Sequence, residues 1–292
     1  MLGTLLWRLQ EAFAVITGKK KTQETKTNKQ PIKEWQSPEQ YLIENRDLQN
    51  LIDSVSIEFL FSEFGENRIN SGGNNFSSIS RLDPTLSSLK KYFPNAKYTV
   101  YSDFEINIPG VNVIKVTSPI NDHNHPRHLY RTADYFKFIS LISSDADFKC
   151  VIDSDMFITS PEVYTLVYLT KTFGFCAPSN PRNLLKKDMK VSMDTFKIND
   201  LSGGLGHSYN QSPMTLWKND KNGISFFKKC AGIMEKEPSR ASLVMWKVAR
   251  DLGISPYLLP KEWCVCGEDV GIGDEVILHK GHSKVEQYYN TL

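Results

Sequence analysis

The sequence predicts an α/β fold: one domain on a mostly parallel, Rossmann-like central sheet, preceded by an amphipathic helix. Three observations predict it. Apolar runs of strand length alternate with stretches of helical period along most of the chain. The most apolar run, Phe148 to Ile152, is bounded by polar residues, as befits a strand covered on both faces. It ends in Asp153-Ser154-Asp155, and the carboxyl edge of such a sheet is where open α/β folds bind ligands.

In chain order, Met1 to Thr17 places Leu2, Leu5, Leu6, Leu9, Ala12, Phe13 and Ile16 on one helical stripe. The stretch is too short and too charged to span a bilayer, and it lacks the plan of a secretory signal. Lys19-Lys20-Lys21 and a polar linker follow, so residues 1–36 form an expected unit apart from a domain at 37–292. An apolar stripe beside a basic run suits a peripheral membrane anchor through residues 1–21, and it equally suits a helix docked on the domain. Ser37-Pro38 opens a helix to about Asp53, and Val55 to Phe61 gives a strand. A polar loop over 66–80 precedes a helix from Asp83 to Tyr92 and strands at 97–101 and 111–116. His128 to Ile142 is a helix that leads into the acidic strand, and Met156 to Ile158 continues beyond it. Later elements are a helix at 161–170, a short strand near 173–175, a glycine-rich turn at 201–207, helices at 224–235 and 242–252, and strands at 256–260 and 275–278.

Composition bounds the function. The chain has 292 residues, 40% hydrophobic and 23% charged, which suits one large globular domain or two small ones. Its formal charge of +2 gives no basic stripe for nucleic acid. Residues 1–36 hold seven Lys/Arg against three Glu, a net of +4, leaving −2 for the rest. The five scattered cysteines suggest no disulfide framework, hence a reducing, cytoplasmic setting, in places at a membrane's cytoplasmic face. Cys264-Val265-Cys266 lacks partner ligands at zinc spacing and reads as free thiols.

Two carboxylates two residues apart at a sheet edge repel each other, so a positive group should sit between them. A hard divalent cation that carries substrate phosphates is the economical one. Late in the chain, the strand at 275–278 ends in His279-Lys280-Gly281-His282-Ser283-Lys284, a cluster of possible ligands. In the helix before the acidic strand, Arg131 and Asp134 share a face and could reach one ligand.

Taken together, these residues resemble nucleotide-sugar-dependent glycosyltransferases of the GT-A fold over about residues 55–285. Asp153-Ser154-Asp155 looks like their Asp-x-Asp motif. His279 to Lys284 is similar to the His-x-x-Gly-x-x-Lys motif of the glycogenin and lipopolysaccharide galactosyltransferase group, one residue shorter before the glycine. Asp134 and Lys137 look like a Ser-Asp-x-x-Arg element with Lys in place of Arg. The resemblance implies Mn²⁺ (or Mg²⁺) on Asp153, Asp155 and His279, with Lys284 and Gly281 at the diphosphate. It implies Phe61, Ser62, Asp103 and Ser154 along the nucleotide, and Arg131, Asp134 and the Gly203-Gly204 turn near the donor sugar. The implied substrates are a UDP-sugar and a glycan, lipid-linked or protein acceptor.

The sequence departs from the family at Pro238 to Ser242, where an acidic pair is usual. Glu268-Asp269, in a later glycine-rich loop, is the remaining candidate base. The missing pair and the glycogenin-like ending favour a retaining reaction. Two other classes compete: a zinc hydrolase built on His123, His125 and His128, and a nucleotide-sugar-binding module without turnover.

Overall fold

The computed structural model describes residues 34–66, 82–179, 209–265 and 274–279. The expected N-terminal helix with most of its linker, all but Glu66 of the expected loop over 66–80, Gly203, Gly204, Cys266, Glu268, Asp269, Gly281 and Lys284 lie outside the described residues.

The core is a seven-stranded sheet in the order β3-β2-β1-β4-β7-β6-β8. Its strands are β1 (Ile57–Glu63), β2 (Lys97–Ser102), β3 (Asn112–Lys115), β4 (Phe148–Val151), β6 (Phe175–Pro178), β7 (Met214–Trp217) and β8 (Tyr257–Leu259). β1, β2, β3 and β4 are mutually parallel, whereas β7 runs antiparallel between β4 and β6. A separate antiparallel pair joins β5 (Met156–Ile158) to β9 (Ile277–His279).

Helices cover both faces. On one side lie α4 (His128–Ser143), α6 (Lys221–Lys236) and α7 (Ala241–Leu252), which bury Phe138, Phe227 and Val244 against Leu60 and Val151. On the other lie α2 (Arg46–Ser54), α3 (Leu82–Tyr92) and α5 (Thr165–Phe173), which bury Leu51, Leu89 and Val167 against Phe59, Phe61 and Phe148. Alternate residues of β1 therefore enter opposite cores, which is why Phe59, Leu60 and Phe61 are apolar in succession.

Connectivity positions the site. From β1 the chain winds outward through β2 and β3, then crosses back to β4 on the other side of β1. The direction of winding reverses between β1 and β4, leaving a crevice beyond their carboxyl ends. The acidic turn leaves β4 into that crevice.

Three expectations are corrected. The helix from Pro38 is two helices, α1 (Pro38–Glu44) and α2, broken at Asn45, whose side chain donates to the Tyr41 carbonyl at 2.8 Å and competes with the helix ladder. The strand near 173–175 begins only at Phe175, because α5 runs to Phe173 and ends on Gly174 at φ 86°. β7 was not expected at all: four residues carry too little alternation to stand out.

Candidate active site

At the switch point β4 stops at Val151 while β1 continues to Glu63, and Ile152 makes a last ladder bond to the Leu60 carbonyl at 3.1 Å. The turn that follows leaves backbone groups without strand partners, and buried hydroxyls supply them. The Asp153 N–H donates to Ser212 Oγ at 2.8 Å. Thr85 Oγ1 lies 2.9 Å from the Ser154 carbonyl and 2.6 Å from that of Met156. Ser88 Oγ accepts from the Ile158 N–H at 3.1 Å. All three hydroxyl residues are buried, and the turn is held from both sides. Sequence reasoning missed them, because they lie far along the chain and no local pattern marks them.

β5 and β9 bring the two ends of the site together. Antiparallel pairing sets Met156 opposite His279, so the imidazole arrives beside the residue that precedes Met156. His279 Nε2 stands 3.4 Å from Asp155 Oδ2, with both side chains about a third exposed (35% and 29%). The two residues are 124 positions apart (279 − 155) and meet only because β9 pairs with β5.

Asp153 takes a different partner. Lys137, from the middle of α4, places Nζ 2.6 Å from Asp153 Oδ1 and 3.4 Å from Asp134 Oδ1. The lysine side chain is 7% exposed. Burial works against its charge, but the Asp153 and Asp134 carboxylates outweigh burial and hold its pKa above the ordinary value, with a smaller contribution from Asp155. Asp134 is itself buried, which pushes its carboxyl upward; Lys137 and the Ala241 N–H at 3.1 Å oppose that shift. Asp134 thus caps the first turn of α7 while flanking Lys137. Part of the positive charge expected between the carboxylates is this lysine.

The remaining expected residues divide. Asp103 lies at the same edge, where its Oδ1 accepts the Gly65 N–H at 2.8 Å just after β1. Ser154 is buried within the acidic turn. Ser62 is buried too, and its hydroxyl has no hydrogen-bond partner among the described residues. Phe61 does not reach the crevice: its side chain is wholly buried in the core under α2, α3 and α5, because β1 runs two residues further than expected. Arg131 and Asp134 are not brought to one ligand. Arg131 Nη1 binds Asp122 Oδ2 at 2.5 Å, and the other Asp122 oxygen meets His128 Nδ1. Despite partial burial, these partners hold the Asp122 carboxyl below its usual range.

The zinc-hydrolase cluster does not form either. His128 Nδ1 is taken by Asp122, and His125 Nδ1 accepts the Arg127 N–H at 3.0 Å. Among the described residues, no group of three His, Cys, Asp or Glu side chains is gathered to hold an ion. The expected triad of Asp153, Asp155 and His279 is only partly gathered. Two of its members converge and the third is held by Lys137.

A divalent ion nevertheless fits the pair that does converge. One carboxylate and one imidazole are an accepted donor set for manganese, magnesium being more strictly oxygen-seeking. Two ligands each about 2.1 Å from one ion stand roughly 3.0–3.5 Å apart. The observed separation of 3.4 Å lies in that range.

The sheet order, with its switch point beside the acidic turn, is that of an α/β protein, and its fold is similar to the GT-A fold of solved glycosyltransferases. Among solved structures, the apo structure of the bifunctional glycosyltransferase WbbM matches with a TM-score of 0.50 at 12% identity, covering 80% of this chain. The chain spans about half the length of that relative, 49%. Galactosyltransferase LgtC, solved in complex with donor and acceptor sugar analogs, aligns over 80% of this chain and 96% of its own, with 9% identity and a TM-score of 0.49. No protein-family model matches the sequence, and no curated protein matches it.

Proposed function

We propose that this chain is a glycosyltransferase that moves a sugar from a nucleotide-diphosphate donor, a UDP-sugar, to a glycan, lipid-linked or protein acceptor with the aid of Mn²⁺. The observation that carries the reading is the convergence of Asp155 and His279 beside the switch point. The fold shared with glycosyltransferases supports it.

Cleavage of the bond between sugar and diphosphate leaves a nucleoside diphosphate whose negative charge grows in the transition state. Asp155 and His279 would hold a divalent ion, which would supply Lewis-acid stabilisation of that charge. The chain's own residues do the rest. Ser212 and Thr85 fix the turn that presents Asp155. The pairing of β5 with β9 fixes His279. Asp103 secures the backbone at Gly65, where the donor crevice borders β1. We propose Lys284 for the diphosphate, the Gly203-Gly204 turn for the sugar, Glu268 and Asp269 as candidate bases, and a retaining outcome, read as the product's anomeric configuration. Contact with anionic membrane through residues 1–21 is tested by liposome flotation of the chain with and without that segment.

The test of the central reading is turnover of a panel of nucleotide sugars with and without Mn²⁺. Metal-dependent hydrolysis or transfer from at least one UDP-sugar is expected, and it disappears in Asp155→Asn. Turnover that persists in excess chelator rejects the metal's role. A protein that binds donors but turns none over is a binding module instead.

A further inference from the structure

A groove runs between the α1–α2 junction and the outer face of α5, away from the crevice. We propose that it binds a stretch of neutral glycan chain, so that the enzyme grips a polymeric acceptor far from the reacting end. The site stands on its own geometry; only its use for an acceptor rests on the glycosyltransferase reading above.

The groove is a feature of the fold's other end. Tyr164, the residue before α5, donates its hydroxyl to the Tyr92 carbonyl at 2.6 Å, near the amino end of β2 and opposite the acidic turn. None of the lining residues is among those gathered around Asp155 and His279. The cavity measures about 1040 Å³, the size of a large ligand cleft. Buried Leu51 forms part of its floor, while Ile43 and Tyr168 stand on its walls 55% and 57% exposed. Packing within the domain leaves these two large side chains without cover.

Charge and hydrogen-bonding capacity decide what fits. Glu44, Asp47, Arg46 and Lys171 line the groove and sum to zero, so it has no net pull on nucleic acid, an anionic membrane or a cation. Glu44 is engaged by Gln36 and Gln40. Among the described residues, no side-chain hydrogen bond or ion pair holds Arg46, Asp47 or Lys171, and the groove keeps two free donors and a free carboxylate. Thr165 and Thr172 spend their hydroxyl protons on the Glu162 and Tyr168 carbonyls, at 2.7 and 2.9 Å, and their oxygens can still accept. Asn45 likewise spends its side-chain N–H on Tyr41 and keeps Oδ1. Free donors and acceptors thus flank an exposed tyrosine ring. A neutral sugar matches both features, because its hydroxyls donate and accept while its C–H faces pack on an aromatic ring. Tethering a polymer here raises the effective concentration of its end at the crevice, so even weak binding is useful.

The experiment is native electrophoresis of the full chain through gels that contain a neutral glucan, galactan or mannan, without Mn²⁺ or nucleotide. Retardation by at least one of them is expected. Tyr168→Ala, at a position more than half exposed, should weaken the apparent affinity roughly tenfold, the scale of one lost aromatic contact and the hydrogen bonds it orders. Asp47→Ala should weaken it too, whereas Asp155→Asn should leave retardation unchanged, which separates this groove from the crevice. No retardation by any polymer, or retardation that survives both Tyr168→Ala and Asp47→Ala, overturns the proposal. Sedimentation that shows a dimer broken by Tyr168→Ala assigns the face to a second copy and overturns it as well. With a polymeric acceptor, Tyr168→Ala should raise acceptor KM and leave donor hydrolysis unchanged; an unchanged acceptor KM overturns the acceptor role. Absence of turnover with every nucleotide sugar defeats the glycosyltransferase reading, a separate result, while retardation that depends on Tyr168 upholds the site.

Discussion

Ser212→Ala tests whether the acidic turn is built as described. The Ser212 hydroxyl is buried and accepts the Asp153 N–H at 2.8 Å, besides lying 2.9 Å from the Met156 sulfur. Alanine removes the acceptor and leaves a peptide N–H at a turn with no ladder partner. An orphaned buried donor costs about 1–3 kcal/mol. Asp153 is partly exposed (24% of its side chain), so water can recover some of that loss, and we place the effect near the lower end, about 1–1.5 kcal/mol. For a body of this size each kcal/mol lowers Tm by about 2–4 °C, so a fall of roughly 2–6 °C is expected. Function should suffer more than stability, because the loosened turn no longer presents Asp155 to His279. We expect KM for the donor and the Mn²⁺ requirement both to rise, with folding retained. Thermal unfolding by circular dichroism and steady-state turnover measure the two effects. A variant with wild-type Tm and wild-type metal dependence would refute the claim that this hydroxyl holds the turn.

Two further outcomes follow from the geometry. Lys137 binds its proton more tightly in the folded state, so its contribution to stability is fully present below the ordinary lysine value of about 10.4 and is lost as pH rises above it. Wild-type Tm should therefore fall more steeply above that pH than the Tm of Lys137→Met with Asp134→Asn; parallel curves would contradict the buried pairing. Phe61→Leu, a core change away from the crevice, should lower Tm modestly yet leave donor KM unchanged, whereas a large KM effect would restore Phe61 to the nucleoside site.

What the sequence disclosed followed from chemistry that is local in the chain. β4 and the acidic turn stand out because a strand covered on both faces is mostly apolar, as Phe148, Cys150, Val151 and Ile152 are, and two carboxylates break that run abruptly. His279 was legible for a similar reason, as a potential ligand at the end of an apolar strand. That the two strands bearing them pair directly was not legible, because register between β5 and β9 is a tertiary fact. The need for positive charge near Asp153 was deduced, but its source was assigned to an ion alone. Lys137 sits in α4 among Phe136 and Phe138, and helical spacing says nothing about which residue at the sheet edge it will meet. Phe61 was misplaced by a strand end judged two residues early, since Ser62 and Glu63 look polar yet are buried.

The most direct test of the central claim is the loss of free Mn²⁺ signal when UDP-bound protein is titrated, compared among wild type, Asp155→Asn and His279→Ala. The account predicts that wild type captures the ion and that each substitution, made on a fold still intact by circular dichroism, abolishes capture. Equal capture by either variant would contradict it.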